Sequence, residues 1–138
     1  MSLLRRGPVA LCARLYRGRR SRTAVDDGHG FMNALTTSGR IPWKTQVNGA
    51  ITASAAVAGS MLVFGDQAGY LYGITRGTGA IAWSFRPVAH PYAAIWGSGT
   101  VVGADVVIGV ASNEEAAAAN PSYPCAVVTP GTITAFGL

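Results

Sequence analysis

The apolar positions of this chain fall in short runs broken by glycine, and the runs have the lengths of β-strands. The segments MLVFG (61–65) and VVIGV (106–110) are rich in β-branched and aromatic residues and are bounded by Gly and Asp. That pattern is expected of strands buried on both faces. In GYLYGIT (69–75) successive side chains alternate, placing Tyr70, Tyr72 and Ile74 on one face and Leu71, Gly73 and Thr75 on the other. The following RGTGA (76–80) predicts a turn with glycines available for positive φ, returning the chain into a strand around Trp83.

The pattern repeats. GFMNALTTSGRIPWKT (30–45) aligns with GYLYGITRGTGAIAWSF (69–85), so that Gly30 meets Gly69, Leu35 meets Ile74, Gly39 meets Gly79 and Trp43 meets Trp83, a spacing of 39 to 40 residues. A second pair, ITASAAVAGSMLVFGD (51–66) and IWGSGTVVGADVVIGV (95–110), aligns at a constant offset of 44, matching Ile51 with Ile95, Ser54 with Ser98, Val63 with Val107 and Gly65 with Gly109. GTITAFGL (131–138) begins a third copy of the first motif, and the expectation is a chain that stops inside a repeat. About four short strands per unit of this length is the arithmetic of propeller blades. The predicted fold class is therefore all-β, a partial β-propeller of about two to three four-stranded antiparallel blades. Trp43 and Trp83, at equivalent positions, are expected to pack between neighbouring units. Trp96 lies outside this spacing and either packs or faces a pocket.

Composition agrees: 18 glycines in 138 residues and only 12% charged residues indicate a turn-rich β-protein. The net charge of +5 would suggest an acidic partner, but seven of the eleven basic residues precede Asp26. From Asp26 onward four basic residues face six acidic ones, which leaves no basic stripe to neutralise phosphates and argues against nucleic acid. No run approaches the ~18 apolar residues that span a bilayer. Residues 1–28 are expected to be a basic leader ahead of blades at 29–138. Its arginines fit an organellar presequence better than a secretory signal, the alternatives being an unstructured tail or a start codon upstream of a truncated coding region. Cys12 and Cys125 occur in neither a CxxC nor a CxxCH arrangement, so zinc and c-type haem are unsupported.

One stretch departs from the pattern. SNEEAAAANPSYPC (112–125) reads as a turn of capped helix ending at a proline-flanked cysteine. Ser112 and Glu115 fit a capping box, in which the serine accepts from the N3 amide and the glutamate reaches back to the serine amide. On that reading Glu115 is structural and Glu114 is free to contact a ligand; both acids in a cofactor role is the other reading. Cys125 on its own is a small buried apolar residue. His90 suits a turn beside proline, while Asp66 and Asp105 suit turn hydrogen bonds at strand ends. No Ser/His/Asp set, metal cluster or phosphate loop is formed: GVASNEE contains no GxSxG, and GSGTVVG lacks the lysine of a P-loop.

GITRGTGAIAW (73–83) resembles the tryptophan-docking motif of the quinoprotein dehydrogenase propellers, A-x-D-x-x-T-G-x-x-x-W, with Gly73, Thr78, Gly79 and Trp83 in place and Thr75 where the family prefers Asp. HPYAAIWGSGTVVGADVVIGVASNEEAAAANPSYPC (90–125) is similar to the polyvinyl-alcohol-dehydrogenase-like branch, in which a strand runs into an S-x-E-E loop and then Y-P-C-C. The resemblance covers residues 29–138. It implies an eight-bladed parent that binds pyrroloquinoline quinone (PQQ) near its axis, usually with calcium, and oxidises small alcohols or polyols in the periplasm or outside the cell. It further implies cofactor contacts from Glu114, Glu115 and Cys125, with no catalytic base and no calcium ligand in this chain. Ala126 stands where the family's second cysteine would form a vicinal disulfide, and AVVTPG (126–131) carries no arginine to grip a quinone carboxylate. Two functions follow: a dehydrogenase sector supplying part of the cofactor site and inactive by itself, or a non-catalytic repeat scaffold for protein partners. In either case a companion chain could complete the ring.

Overall fold

Glycine-bounded runs of this kind can bury both faces only if a sheet lies between two others, and the middle sheet of this chain is built that way. The structure, a computed structural model, describes residues 22–112 and 131–137. Among these residues there are eleven strands and no helix. Blade A contains β1 (Arg22–Asp26), β2 (Phe31–Thr36) and β3 (Lys44–Gln46), in that spatial order. Blade B is the four-stranded meander β4 (Ala56–Ala58), β5 (Met61–Gly65), β6 (Leu71–Thr75) and β7 (Ile81–Phe85). Blade C contains β8 (Ala93–Ala94), β9 (Thr100–Val102), β10 (Asp105–Ser112) and β11 (Thr132–Gly137), with β10 pairing all three of the others. Every pairing is antiparallel.

Both expected repeats appear in the geometry. β5 and β10 start 44 residues apart and pair β4 and β9 in the same register, Val57 with Leu62 and Val101 with Val106. β2 pairs β3 as β6 pairs β7 at the 39 to 40-residue spacing, Asn33 with Lys44 and Tyr72 with Ser84. By composition residues 22–26 belong to the basic leader. They instead form β1, held to β2 by the pairs Arg22 to Thr36 through Asp26 to Met32.

Blade B separates two apolar cores. Leu62, Phe64, Tyr72 and Ile74 pack with Met32, Val47 and Ile51 on the blade A side. Ala58, Val63 and Leu71 pack with Ala93, Ile95, Val106, Ile108 and Val110 on the blade C side. The alternation along 69–75 thus divides between two interfaces, and removing each large aliphatic or aromatic side chain from water contributes about 1.5–3 kcal/mol. The β6–β7 ladder shifts register between Gly73 and Ile74, leaving Ala82 of β7 unpaired, and a Cβ on Gly73 would lie 2.2 Å from the ring of Trp83. Glycine is required there for the indole to lie against the strand.

The tryptophan prediction holds for the contact between blades A and B. Trp43 lies on the Gly79 turn of blade B and donates its indole N–H to the Arg76 carbonyl at 3.1 Å. Thr45 Oγ1 donates to the Gly79 carbonyl at 2.6 Å beside it. Gly79 has φ +74°, and a side chain there would run into the indole.

Candidate functional site

The antiparallel order places particular connections together at one end of the blades. There the β5–β6 turn lies beside the connectors that leave β3 and β7, and the chain leaves β10 at this same end for residues 113–130. β4 of blade B and β9, its equivalent in blade C, lie against each other. Between them is an open cleft of about 440 Å³ lined by residues 54–57 and 98–101. Ser98 Oγ accepts the Ser54 amide at 2.9 Å, joining two repeat-equivalent serines across the blade boundary. The lining offers hydroxyls and backbone groups and no charged side chain.

Two blades turn in the same way at this end. In blade A, Asp27 Oδ1 accepts from the amides of His29 and Phe31, and the Asp27 amide donates to the Phe31 carbonyl. In blade B, Asp66 Oδ1 accepts from the Tyr70 amide at 2.9 Å, and the Asp66 amide donates to the Tyr70 carbonyl. The signal was present in the sequence as D-x-x-G followed by an aromatic residue, at Asp27–Phe31 and at Asp66–Tyr70. Gly30 and Gly69 carry positive φ at its fourth position.

Asp66 does more than the turn role assigned to it. It is fully buried, and its Oδ2 accepts from the Gly49 amide at 2.8 Å and the Tyr72 hydroxyl at 2.9 Å. Its carbonyl accepts from the Ile95 amide at 3.0 Å. One residue therefore ties blade B to the connectors on both sides, and three donors offset the cost of burying its carboxylate. Burial pushes the Tyr72 hydroxyl well above the ordinary tyrosine range, and the Asp66 carboxylate adds to the shift against an opposing hydrogen bond from the Asn48 amide.

Blade C breaks this rule. The 44-residue offset puts Val110 where Asp66 turns the chain, and β10 runs on to Ser112, with Ala111 and Ser112 pairing Ala94 and Ala93. The departure noticed at residue 112 is thus a missing Asp turn: an apolar buried residue stands at the turning point and the strand continues. Beside it His90 is a turn residue as expected, its carbonyl accepting the Ala93 amide at 3.1 Å and Arg86 Nη2 at 2.7 Å. The Arg86 guanidinium lies over the Tyr70 ring. Trp96, left open between packing and a pocket, is 44% exposed and does not line the cleft.

The sequence-derived site residues Glu114, Glu115 and Cys125 lie outside the described residues, as do Cys12 and Ala126. Among the described residues no three His, Cys, Asp or Glu side chains come together in a way that could hold a metal, and no helix is long and apolar enough to cross a membrane. The described residues do not fit calcium. Toward a quinone they offer a neutral hydrogen-bonding wall and, in the cleft lining, no cation to meet a carboxylate.

No protein-family model and no curated protein sequence matches the chain. Solved structures do match. A quinohemoprotein alcohol dehydrogenase from Pseudomonas putida HK5 superposes with a TM-score of 0.69 at 24% identity, over 86% of this chain and 18% of its own. A europium-containing methanol dehydrogenase superposes at 0.68 and 14% identity, over 92% of this chain and 24% of its own. BamB from Moraxella catarrhalis superposes at 0.55 and 19% identity, over 64% of this chain and 27% of its own. At these identities the likeness is one of fold, and the chain spans about a quarter or less of the two dehydrogenases. The class is therefore established: these are three consecutive blades of an all-β propeller. Their arrangement is similar to that of the blades in both dehydrogenases and in BamB.

Proposed function

We propose that the chain is a sector of a quinone-dependent alcohol dehydrogenase and that its interrupted blade supplies part of the wall of a PQQ site. The observation that carries this reading is the loss of the Asp turn in blade C alone, at the end of the blades where the inter-blade connectors gather. A scaffold gains nothing by opening one blade there, whereas a cofactor site needs a loop that departs from the repeat. In this reading Glu114, with Glu115 if the cap is not formed, accepts hydrogen bonds from the cofactor, and Cys125 packs against its ring. The quinone would supply the hydride-accepting chemistry. The chain's own part is to bind and orient it.

Ala126 removes the vicinal disulfide that the family resemblance implies, and the described residues hold neither a metal set nor a cation in the cleft. Binding by this sector is therefore expected to be weak, and small alcohols or polyols to go unoxidised without further blades or a companion chain. Titrating the chain with PQQ, with and without calcium, checks this through quenching of tryptophan fluorescence. Saturable binding that weakens in Glu114→Gln and Cys125→Ser, with no alcohol-dependent dye reduction, is the expected result. Binding indifferent to both substitutions would remove the loop from the site. It would then favour the second reading, a non-catalytic repeat scaffold, which the fold likeness to BamB supports.

A further inference from the structure

The connector that carries the chain from blade A to blade B is pinned at successive residues. The Asn48 amide donates to the Tyr72 hydroxyl at 3.0 Å, the Gly49 amide donates to Asp66 Oδ2 at 2.8 Å, and the Ala50 carbonyl accepts the Gln67 amide at 2.9 Å. Tyr72 and Asp66 are themselves joined, the hydroxyl donating to the same Oδ2 at 2.9 Å. Two consecutive amides are thus matched to two linked acceptors, and the match fixes the spacing between them. Gly49 also sits close against the β5–β6 turn, where a Cβ on it would fall 2.6 Å from the Ala68 nitrogen.

This clamp holds a reactive pair. Asn48 is exposed, and of Asn33, Asn48, Asn113 and Asn120 it is the asparagine followed by glycine. An asparagine side chain is open to attack by the next backbone nitrogen, and glycine, with no Cβ, hinders that approach least. Attack of the Gly49 nitrogen on Asn48 Cγ forms an N–Cγ bond and breaks the bond from Cγ to the side-chain nitrogen. Ammonia leaves, carrying the former Gly49 amide proton. Water then opens the resulting succinimide at either carbonyl, giving aspartate or isoaspartate. In the docked connector the first step is opposed twice. The nitrogen must lose the proton that it donates to Asp66, beside a carboxylate whose charge disfavours a second negative charge there. It must also turn toward Asn48 Cγ while the Asp66 hydrogen bond and the Ala68 contact hold its peptide plane.

We propose that Asn48 is a site of spontaneous conversion to isoaspartate, and that Asp66 suppresses the conversion for as long as the connector stays docked on blade B. The isoaspartyl product runs its main chain through the former side chain, which places one more carbon between the Asn48 Cα and the Gly49 nitrogen. The two amides then no longer match Tyr72 and Asp66. A connector that is released and converts cannot return to its seat, so opening of this blade boundary becomes irreversible. The equivalent pair in the next connector is Tyr92 and Ala93, so the device belongs to the boundary between blades A and B. The inference does not rest on quinone binding and is tested without it.

The chain is incubated at neutral pH and digested with trypsin, and the aspartyl and isoaspartyl forms of peptide 45–76, whose asparagine is Asn48, are separated by chromatography and mass spectrometry. Conversion should be at least roughly tenfold slower in the native chain than in the chain unfolded in urea. Tyr72→Phe removes the acceptor of the Asn48 amide and a donor to Asp66, and should raise the native rate roughly fivefold. Asp66→Ser, which removes the charge, should raise it further. Ile108→Val loosens the core on the other side of blade B without touching the clamp, and should leave the rate unchanged. Equal rates in native and unfolded chain overturn the proposal, as does an Asn48 that survives in the unfolded chain. So does an equal rise in Tyr72→Phe and Ile108→Val, which would make global unfolding the gate. Hydrogen exchange at 48–50 as slow in the converted chain as in the unconverted one would also overturn it, since the product would then have redocked.

Discussion

Asp66 shows how one side chain can hold three segments together. Its carboxylate is buried because three donors meet it: the Gly49 and Tyr70 amides and the Tyr72 hydroxyl. Asp66→Asn places an amide N–H against donors, and the chain should lose about 2 kcal/mol in urea unfolding. Tyr72→Phe should lose about 1 kcal/mol, and the two losses should not add, since both act on one network. The same contact predicts a pH dependence. The Tyr72 hydroxyl ionises at higher pH folded than unfolded. Its contribution is therefore complete below the ordinary tyrosine value of about 10 and is lost as pH rises toward the folded value. Melting temperature should fall above pH 10 in the native chain and fall less steeply in Tyr72→Phe. Sequence reading recognised Asp66 as a turn residue from its neighbours alone. Gly49 is distant along the chain, and nothing local announces that its amide would arrive at the same oxygen.

At the scale of strands, Gly65 and Gly109 occupy equivalent places with opposite surroundings. Gly65→Ala must push into Ile95, and overpacking of this kind costs about 1–3 kcal/mol. Gly109→Ala meets open space, and because glycine is a poor strand residue the change should be neutral or stabilising by up to about 1 kcal/mol. Equal losses at the two sites in denaturant unfolding would contradict the description of blade C. The period-two alternation of 69–75 was legible because both faces of β6 are used, one for each core. β1 was not legible. Its arginine-bearing stretch carries a leader's composition, and pairing with β2 makes it a strand.

For the whole molecule, stacked sheets imply nearest-neighbour energetics, in which stability is the sum of each blade and its interfaces. Blade B has two interfaces and should be the last to open. Native-state hydrogen exchange at low protein concentration should find the amides of β5 and β6 slowest and those of β1 and β11 fastest. Comparable protection in β11 and β5 would argue against a stack of three units. The interrupted blade was visible in the sequence as a composition, SNEEAAAANPSYPC, but its place was not. Val110 at the turning point and the pairing of Ala111 and Ser112 with β8 put the departure of 113–130 at the connector end.

Sequence by itself determined the period, the strand-and-turn grammar and the packing use of Trp43, because glycine spacing and alternation are local properties that any β-sheet must obey. Tertiary structure decided which faces are shared, which turn aspartate is buried, and where among the described residues the Asp turn is missing. Those depend on residues 17 to 44 positions apart arriving at the same atoms, and spacing along a chain does not carry that information.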